Sequence, residues 1–181
     1  AIYEEEGYTP SEIPKLILTH NLYGTEIDPR AGALAAFALT IKARARQRAY
    51  FSDSIEPSIR ILSPISFAPD EVEALLTASG DREAEAAFWN QFRHGDVLGS
   101  LVKPDPTLTA MLKQHVAQLD DDGDVLLAEL LARAEQVVLQ AELLLPRYSV
   151  AVANPPYMGT GNMDSHISEF VKKHYREGKT D

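Results

Sequence analysis

The stretch Tyr148-Ser149-Val150-Ala151-Val152-Ala153-Asn154-Pro155-Pro156-Tyr157 carries the strongest signal in this chain of 181 residues. The apolar run 148–153 predicts a buried β-strand, and the two prolines end the strand because proline cannot donate to a sheet. Open α/β sheets bind their ligands beyond the carboxyl ends of the strands. The sequence therefore predicts an α/β fold with a ligand site at residues 154–157.

Residues 154–157 suit the binding of a planar group that carries an amino substituent. The side-chain oxygen of Asn154 can accept a hydrogen bond from an NH2 group. The carbonyl of Pro155 can act as a second acceptor, and Pro156 prevents further strand pairing. The ring of Tyr157 offers a face for stacking. The structural alternative is a proline turn that closes a core strand, with the tyrosine packed beneath it.

A second candidate site follows an earlier predicted strand, residues 22–27. Glu26 places a carboxylate at the carboxyl end of this strand, where nucleotide-type α/β folds bind the two ribose hydroxyls of an adenosine-containing cofactor. Asp28 is expected to cap the next helix, with Pro29 in its first position. The alternative is that Glu26 is a surface residue of the strand and that Asp28 is only a cap.

Most of the remaining sequence is helical in pattern. Helices are predicted over residues 30–48, 69–92 (one or two), 107–119 and 125–145, and a short strand over 58–62. The first helix has Leu34, Ala38, Ile41 and Ala45 on one face, and its end is basic, with Lys42, Arg44, Arg46 and Arg48. Residues 120–124 predict an acidic turn.

Composition excludes several classes of function. The chain has no cysteine, which rules out disulfides and thiolate metal sites, and a cytoplasmic location is expected. A net charge of −10 argues against a self-sufficient nucleic-acid-binding domain. No metal is expected, because the histidines lack ligand spacing and the near match of residues 118–129 to a calcium loop begins with Gln118 rather than an acid. No segment is apolar enough to span a membrane.

The segments 24–29 and 150–159 together resemble the N6-adenine-specific DNA methyltransferases, which use S-adenosylmethionine (AdoMet). Residues 154–159, followed by residues 170–173, look most like the large adenine methyltransferases of BREX-type phage defence, the PglX-like group. The resemblance implies a partial Rossmann-like methyltransferase fold interrupted by a mainly helical insertion. Residues 1–50 and 122–181 would then belong to the methyltransferase core, and residues 51–121 to the insertion.

The resemblance also implies roles for individual residues. Asn154 and the Pro155 carbonyl match the acceptors for the adenine amino group, within a catalytic motif completed by Pro156 and Tyr157, and Tyr157 would stack on the flipped base. In the cofactor site, Glu26 would bind the AdoMet ribose. Asp28 and Asp96 are further candidates there, Asp96 for the acid near the cofactor adenine.

One departure from the family pattern concerns the glycine-rich AdoMet loop, which is expected upstream of residue 1 and has no equivalent in this sequence. The chain is therefore expected to be an internal fragment that does not transfer methyl groups by itself. Double-stranded DNA would be bound through regions outside it, with other phage-defence subunits as further partners. The alternatives are a protein-glutamine or RNA-base methyltransferase, or a non-catalytic interaction module.

Overall fold

A computed structural model describes residues 2–53, 55–153 and 165–174 of the chain. The chain divides into two compact units, Ala1–Leu62 and Ser63–Asp181. The described part of the first unit contains α1 (Ile2–Glu5), α2 (Ile13–His20), β1 (Tyr23–Glu26), α3 (Pro29–Arg46), a short 3-10 turn (Tyr50–Asp53) and β2 (Ser58–Ile61). That of the second contains α4 (Pro69–Leu75), α5 (Arg82–Trp89), α6 (Gly95–Leu98), a 3-10 turn (Gly99–Leu101), α7 (Pro106–Val116), α8 (Val125–Leu144) and α9 (Ser165–His174).

The first unit is built around a small parallel sheet. β1 and β2 pair in parallel, with Tyr23 opposite Ser58 and Glu26 opposite Ile61. Parallel neighbours need a crossover connection, and α3 lies in the connection between these two strands. The strands predicted over residues 22–27 and 58–62 and the mixed α/β character are therefore confirmed.

The start of α3 follows the sequence prediction closely. The side chain of Asp28 caps the helix by accepting a hydrogen bond from the backbone N–H of Arg30 at 2.8 Å, and Pro29 takes the first helical position. The buried face of α3 carries Gly32 and Ala43. Leu34, Ala38, Ile41 and Ala45 share a face, as predicted, and that face is exposed to solvent.

The core of the first unit is small. Leu18 of α2, Ala43 of α3 and Tyr50 are buried together, and Leu39 and Ile55 pack against them. The hydroxyl of Tyr50 donates a hydrogen bond to the carbonyl of Ile55 at 2.7 Å, which satisfies the polar end of this buried ring.

The described part of the second unit is helical and holds the larger core. The helices predicted over 69–92, 107–119 and 125–145 are confirmed as α4 with α5, α7 and α8, and Asp81 and Asp124 cap α5 and α8. α7 packs against α8. The buried side chains include Leu75, Phe88, Trp89, Phe92, Leu112, Val116, Ala134, Val137 and Ala141.

Arg133 of α8 ties the segment that leads into α4 to the helical core. Its guanidinium donates a hydrogen bond to the carbonyl of Ser66 at 3.2 Å and pairs with Glu71. The guanidinium carbon also lies 5.0 Å from the centre of the Phe67 ring, which is within the range of a cation–π contact. One side chain thus makes three contacts with residues 66–71.

Replacing Glu71 by glutamine is expected to destabilise the second unit by about 1 kcal/mol at pH 7, since the pair with Arg133 is only partly exposed. The hydrogen bond from Arg133, and next that from the backbone N–H of Ala68, hold the pKa of Glu71 below its ordinary value. A carboxyl whose pKa falls on folding contributes its full stabilisation of the folded state at pH values above its unfolded-state pKa. The contribution is lost as the pH drops through the folded-state value.

Urea unfolding of the wild type and the Glu71→Gln variant from pH 7 to pH 3 tests this expectation. The stability difference should shrink as the solution becomes acidic. Glu73→Gln is the matched control, because Glu73 pairs with Arg82 on an exposed surface of the same unit. Its replacement should lower the free energy of unfolding less than Glu71→Gln does. A difference for Glu71→Gln that stays constant down to pH 3 would contradict the assigned role.

The prediction of a strand over residues 148–153 is wrong. The structure has no strand there, and the side chains of Val150 and Val152 are 78 % and 95 % exposed. A strand needs a neighbour for its backbone groups, and the strands of the described residues, β1 and β2, pair only with each other. The apolar residues of this pattern therefore lie in a solvent-exposed segment.

Candidate functional site

Glu26 is the last residue of β1, at the carboxyl end of the strand. Its side-chain oxygen Oε1 accepts hydrogen bonds from the backbone N–H groups of Ile27, at 2.8 Å, and Asp28, at 3.1 Å. The turn that follows the strand thus holds this carboxylate in one orientation. The position of Glu26 was predicted from the sequence, whereas its anchoring by two backbone amides was not.

The second carboxylate oxygen of Glu26 has unused acceptor capacity among the described residues. Among the described residues, no donor bonds to its Oε2 atom, and the side chain is half-buried. An ionised carboxylate has about four acceptor positions, and the two amides use only part of this capacity. A ligand with two neighbouring hydroxyl groups could donate to the remaining positions.

Two glycines near the end of β1 and the start of α3 allow close packing against the isoleucine side chains of β2. A Cβ atom at Gly32, in the first turn of α3, would lie 2.3 Å from Cδ1 of Ile61 and 3.7 Å from Cβ of Glu26. A Cβ atom at Gly24 would lie 2.6 Å from Cδ1 of Ile59. The start of α3 therefore supports the stem of Glu26. A glycine in the first turn of a predicted helix could have indicated this packing from the sequence. Glycine destabilises a helix, so its presence there suggests that a side chain would not fit.

Asp28 is already engaged as a helix cap. Its Oδ1 atom accepts the hydrogen bond from the Arg30 backbone N–H and lies 3.6 Å from Nε of the same residue. A cap of this kind stabilises a helix by about 1 kcal/mol. The described contacts of Asp28 are those of a cap, and its assignment to a cofactor site stays a prediction.

Asp96 lies in the first turn of α6, in the second unit, and its side chain is exposed. α6 starts in close contact with the preceding chain, because a Cβ atom at Gly95 would lie 2.7 Å from the carbonyl oxygen of Ser63. No hydrogen bond or ion pair joins the Asp96 side chain to another described residue. Its assignment to the cofactor site also stays a prediction.

The catalytic motif Asn154, Pro155, Pro156 and Tyr157 lies outside the described residues. The chain that leads to it leaves α8 at Leu144, and the hydroxyl of Tyr148 donates a hydrogen bond to the carbonyl of Leu143 at 2.9 Å. The roles of the four residues stay predictions from the sequence.

Metal and membrane features are also absent from the part of the chain that the structure describes. No group of three or more histidine, aspartate or glutamate side chains within it could hold a metal ion. None of its helices combines the length and the apolar character that crossing a membrane requires.

Comparison with known families identifies the class of protein. Residues 20–181 match the family described as the Eco57I restriction-modification methylase. The match includes β1, α3 and the stretch 148–157 from which the sequence interpretation began. The chain belongs to this family.

Two curated relatives are similar over nearly the whole chain. The adenine-specific methyltransferase BrxX of Escherichia coli O9:H4 (strain HS) is 32% identical over 207 residues, which cover 100% of this chain and 17% of the relative. The adenine-specific methyltransferase PglX of Lacticaseibacillus casei (strain Zhang) is 28% identical over 190 residues, which cover 99% of this chain and 16% of the relative. The resemblance stated from the sequence is confirmed, and the chain spans only about a sixth of these relatives' length.

Proposed function

We propose that these residues form part of a DNA methyltransferase that transfers a methyl group from AdoMet to the N6 amino group of adenine, in the service of phage defence. The alignment of almost the whole chain with two adenine-specific methyltransferases is the observation that carries this proposal. Membership of a restriction-modification methylase family agrees with it. A cytoplasmic location, with DNA bound mainly by regions outside these residues, is part of the same proposal.

The fold proposed for this function is a partial Rossmann-like methyltransferase core. The order of β1, its terminal Glu26 and the capped helix α3 supports this proposal, because such cores bind the ribose of an adenosine cofactor at the carboxyl end of a strand. Residues 1–50 and 122–181 are assigned to the core and residues 51–121 to a helical insertion. The parallel pairing of β2 with β1 supports moving the boundary between core and insertion from residue 50 to residue 62, because residues 58–61 then belong to the same sheet as β1.

The described residues fit the ribose of AdoMet. Glu26 combines one oxygen fixed by the turn with one oxygen open to a ligand, and it stands at the carboxyl end of a parallel strand. A carboxylate held in this way does not have to give up rotamer freedom when the two ribose hydroxyls bind. AdoMet supplies an electrophilic methyl group, and the protein supplies binding and orientation.

The catalytic step is assigned to the motif at residues 154–157. The adenine must leave the base stack, since its amino group cannot be reached inside a duplex. Tyr157 stacks on the flipped base, while Asn154 and the Pro155 carbonyl accept the two N6 hydrogens. These bonds direct the nitrogen lone pair toward the methyl group and stabilise the positive charge that develops on nitrogen. One N6 proton leaves to solvent as the new N–C bond replaces the sulfur–carbon bond.

Replacing Glu26 by glutamine is expected to weaken AdoMet binding at least about tenfold, since a hydrogen bond to a charged group contributes about 1.5–3 kcal/mol. The amide keeps one oxygen for the backbone N–H groups of Ile27 and Asp28, but offers a donor where the ribose needs an acceptor. Calorimetric titration of the full-length gene product with AdoMet measures the effect.

The matched control for Glu26→Gln is Asp28→Asn. It removes a charge two residues away and retains an oxygen that can cap α3, so AdoMet affinity should stay close to that of the wild type. If Asp28→Asn lowered the affinity and Glu26→Gln did not, the two carboxylates would have to exchange roles. If the full-length protein did not bind AdoMet, an interaction module would replace the methyltransferase as the leading interpretation.

The substrate is tested separately from the cofactor. Incubation of the full-length protein with labelled AdoMet and equal amounts of DNA, RNA and cell protein is expected to label DNA. Mass spectrometry of the hydrolysed DNA should identify the product as N6-methyladenine. Label in protein glutamine or in RNA would transfer the proposal to one of the alternative substrates.

A further inference from the structure

The outer face of α3 is an apolar stripe that contacts solvent. Leu34, Phe37 and Ile41 are 67 %, 61 % and 48 % exposed, and Ala38 and Ala45 are exposed between and beyond them. The spacing of these five residues places them in line along the helix. The stripe is about 16 Å long, at 1.5 Å per residue from Leu34 to Ala45.

This stripe is separate from the face by which α3 packs in its own unit. The inner face carries Gly32, Leu39 and Ala43, which contact the sheet and the small core. A helix that is apolar on both sides is normally covered on both sides. Apolar patches of this kind on a folded protein mark interaction sites more often than isolated exposed residues do.

Cations flank the stripe on both sides. At 100° per residue, Lys42 lies about 80° from the line through Leu34 in one direction, and Arg44 about 80° in the other. The sequence from Pro29 to Arg48 contains no acidic residue. Within the part of the chain that the structure describes, neither Lys42 nor Arg44 makes an ion pair. The surface is therefore an apolar seam with a positive charge on each flank.

We propose that the outer face of α3 docks an amphipathic helix that has an apolar stripe and acidic residues on both flanks. Paired helices bury an apolar seam and select their partners by charges beside it, so cations on both flanks favour a partner with acids on both flanks. A second copy of α3 would offer these cations no acidic partner, because residues 29–48 contain no aspartate or glutamate. The relatives are about six times as long as this chain, and the docking helix is assigned to the same polypeptide in such proteins.

Two synthetic peptides test the charge pattern. Both are helical, about 18 residues long and carry the same leucine stripe, but one has glutamate and the other lysine on both flanks. Fluorescence anisotropy with the 181-residue chain should show that the acidic peptide binds at least about tenfold more tightly. The variant Lys42→Glu/Arg44→Glu should reverse this preference. Lys15→Glu/Arg60→Glu is the matched control, because it changes two exposed cations that lie on α2 and β2 rather than on α3 and should retain the preference.

A second variant tests the apolar seam. Leu34→Gln/Phe37→Gln should lower binding of the acidic peptide at least about tenfold while the far-ultraviolet circular dichroism and thermal midpoint stay close to those of the wild type, since both side chains are largely exposed. Equal binding of the two peptides, or binding of neither, would overturn the proposal. So would a concentration-dependent dimer of the wild type that Leu34→Gln/Phe37→Gln abolishes, because the occupant would then be a second copy.

The source of the docking helix is tested with the full-length gene product. If its own helix covers α3, the full-length protein should bind the acidic peptide far more weakly than the 181-residue chain does. Equal binding by the two would overturn the assignment to the same polypeptide and would point to a separate protein as the partner.

Discussion

Replacing Asn154 by alanine in the full-length protein is expected to lower the rate of methyl transfer by about 100- to 1,000-fold, the usual cost of removing one group that stabilises developing charge. The side-chain oxygen of Asn154 is assigned to one of the two N6 hydrogens of the target adenine. Its removal leaves the Pro155 carbonyl as the remaining acceptor, so the nitrogen lone pair is no longer held in line with the methyl group. AdoMet affinity should not change, because the cofactor ribose is assigned to Glu26.

Single-turnover kinetics with labelled AdoMet and a DNA substrate, combined with calorimetric AdoMet binding, separate these two effects. Asn162→Ala is the matched control, because it removes the same side chain eight residues later in the sequence, outside the motif. A comparable loss of AdoMet affinity and turnover in Asn154→Ala would assign the residue to cofactor binding. An unchanged turnover would remove it from the catalytic site.

The features that could be predicted from the sequence are those that depend on neighbouring residues. Asp28 caps α3 and Pro29 occupies its first turn because a side chain two residues away can satisfy a free N–H at the helix start. The same local chemistry places Asp81 and Asp124 at the starts of α5 and α8. The position of Glu26 near the end of a strand could be predicted for a similar reason. Residues 22–27 have a strand-like composition, and Pro29 shows that the strand ends just before it.

The features that the sequence did not predict depend on distant partners. Residues 148–153 have the pattern of a strand, but a strand also needs a paired neighbour, and no described strand pairs with this segment. The inner face of α3 is defined by Gly32 and Ala43, whose small size permits close approach to the sheet and the core but gives little hydrophobic signal. The larger apolar residues Leu34 and Phe37 dominate the pattern and lie on the exposed face.

Trp89 is expected to be the most sensitive position for the stability of the second unit. Its side chain is 0% exposed, and its ring packs edge-to-face against Phe88, with ring centres 5.2 Å apart, and against Phe67, at 6.2 Å. Replacing it by alanine should lower the free energy of unfolding by about 3–5 kcal/mol, because the variant loses the apolar contacts and leaves a cavity. Urea unfolding followed by circular dichroism measures this change, since Trp89 is the chain's one tryptophan and fluorescence would be lost.

Two further variants distinguish the loss of core packing from other causes of the destabilisation in Trp89→Ala. The indole Nε1 atom of Trp89 has no hydrogen-bond acceptor among the described residues, so Trp89→Phe removes a buried donor that none of them satisfies while keeping much of the ring. Its cost should be less than half that of Trp89→Ala. Phe37→Ala removes a ring that is mostly exposed and should change stability by no more than about 0.5 kcal/mol. If Trp89→Phe were as destabilising as Trp89→Ala, the indole N–H rather than the packing of the ring would be the group that stabilises this core.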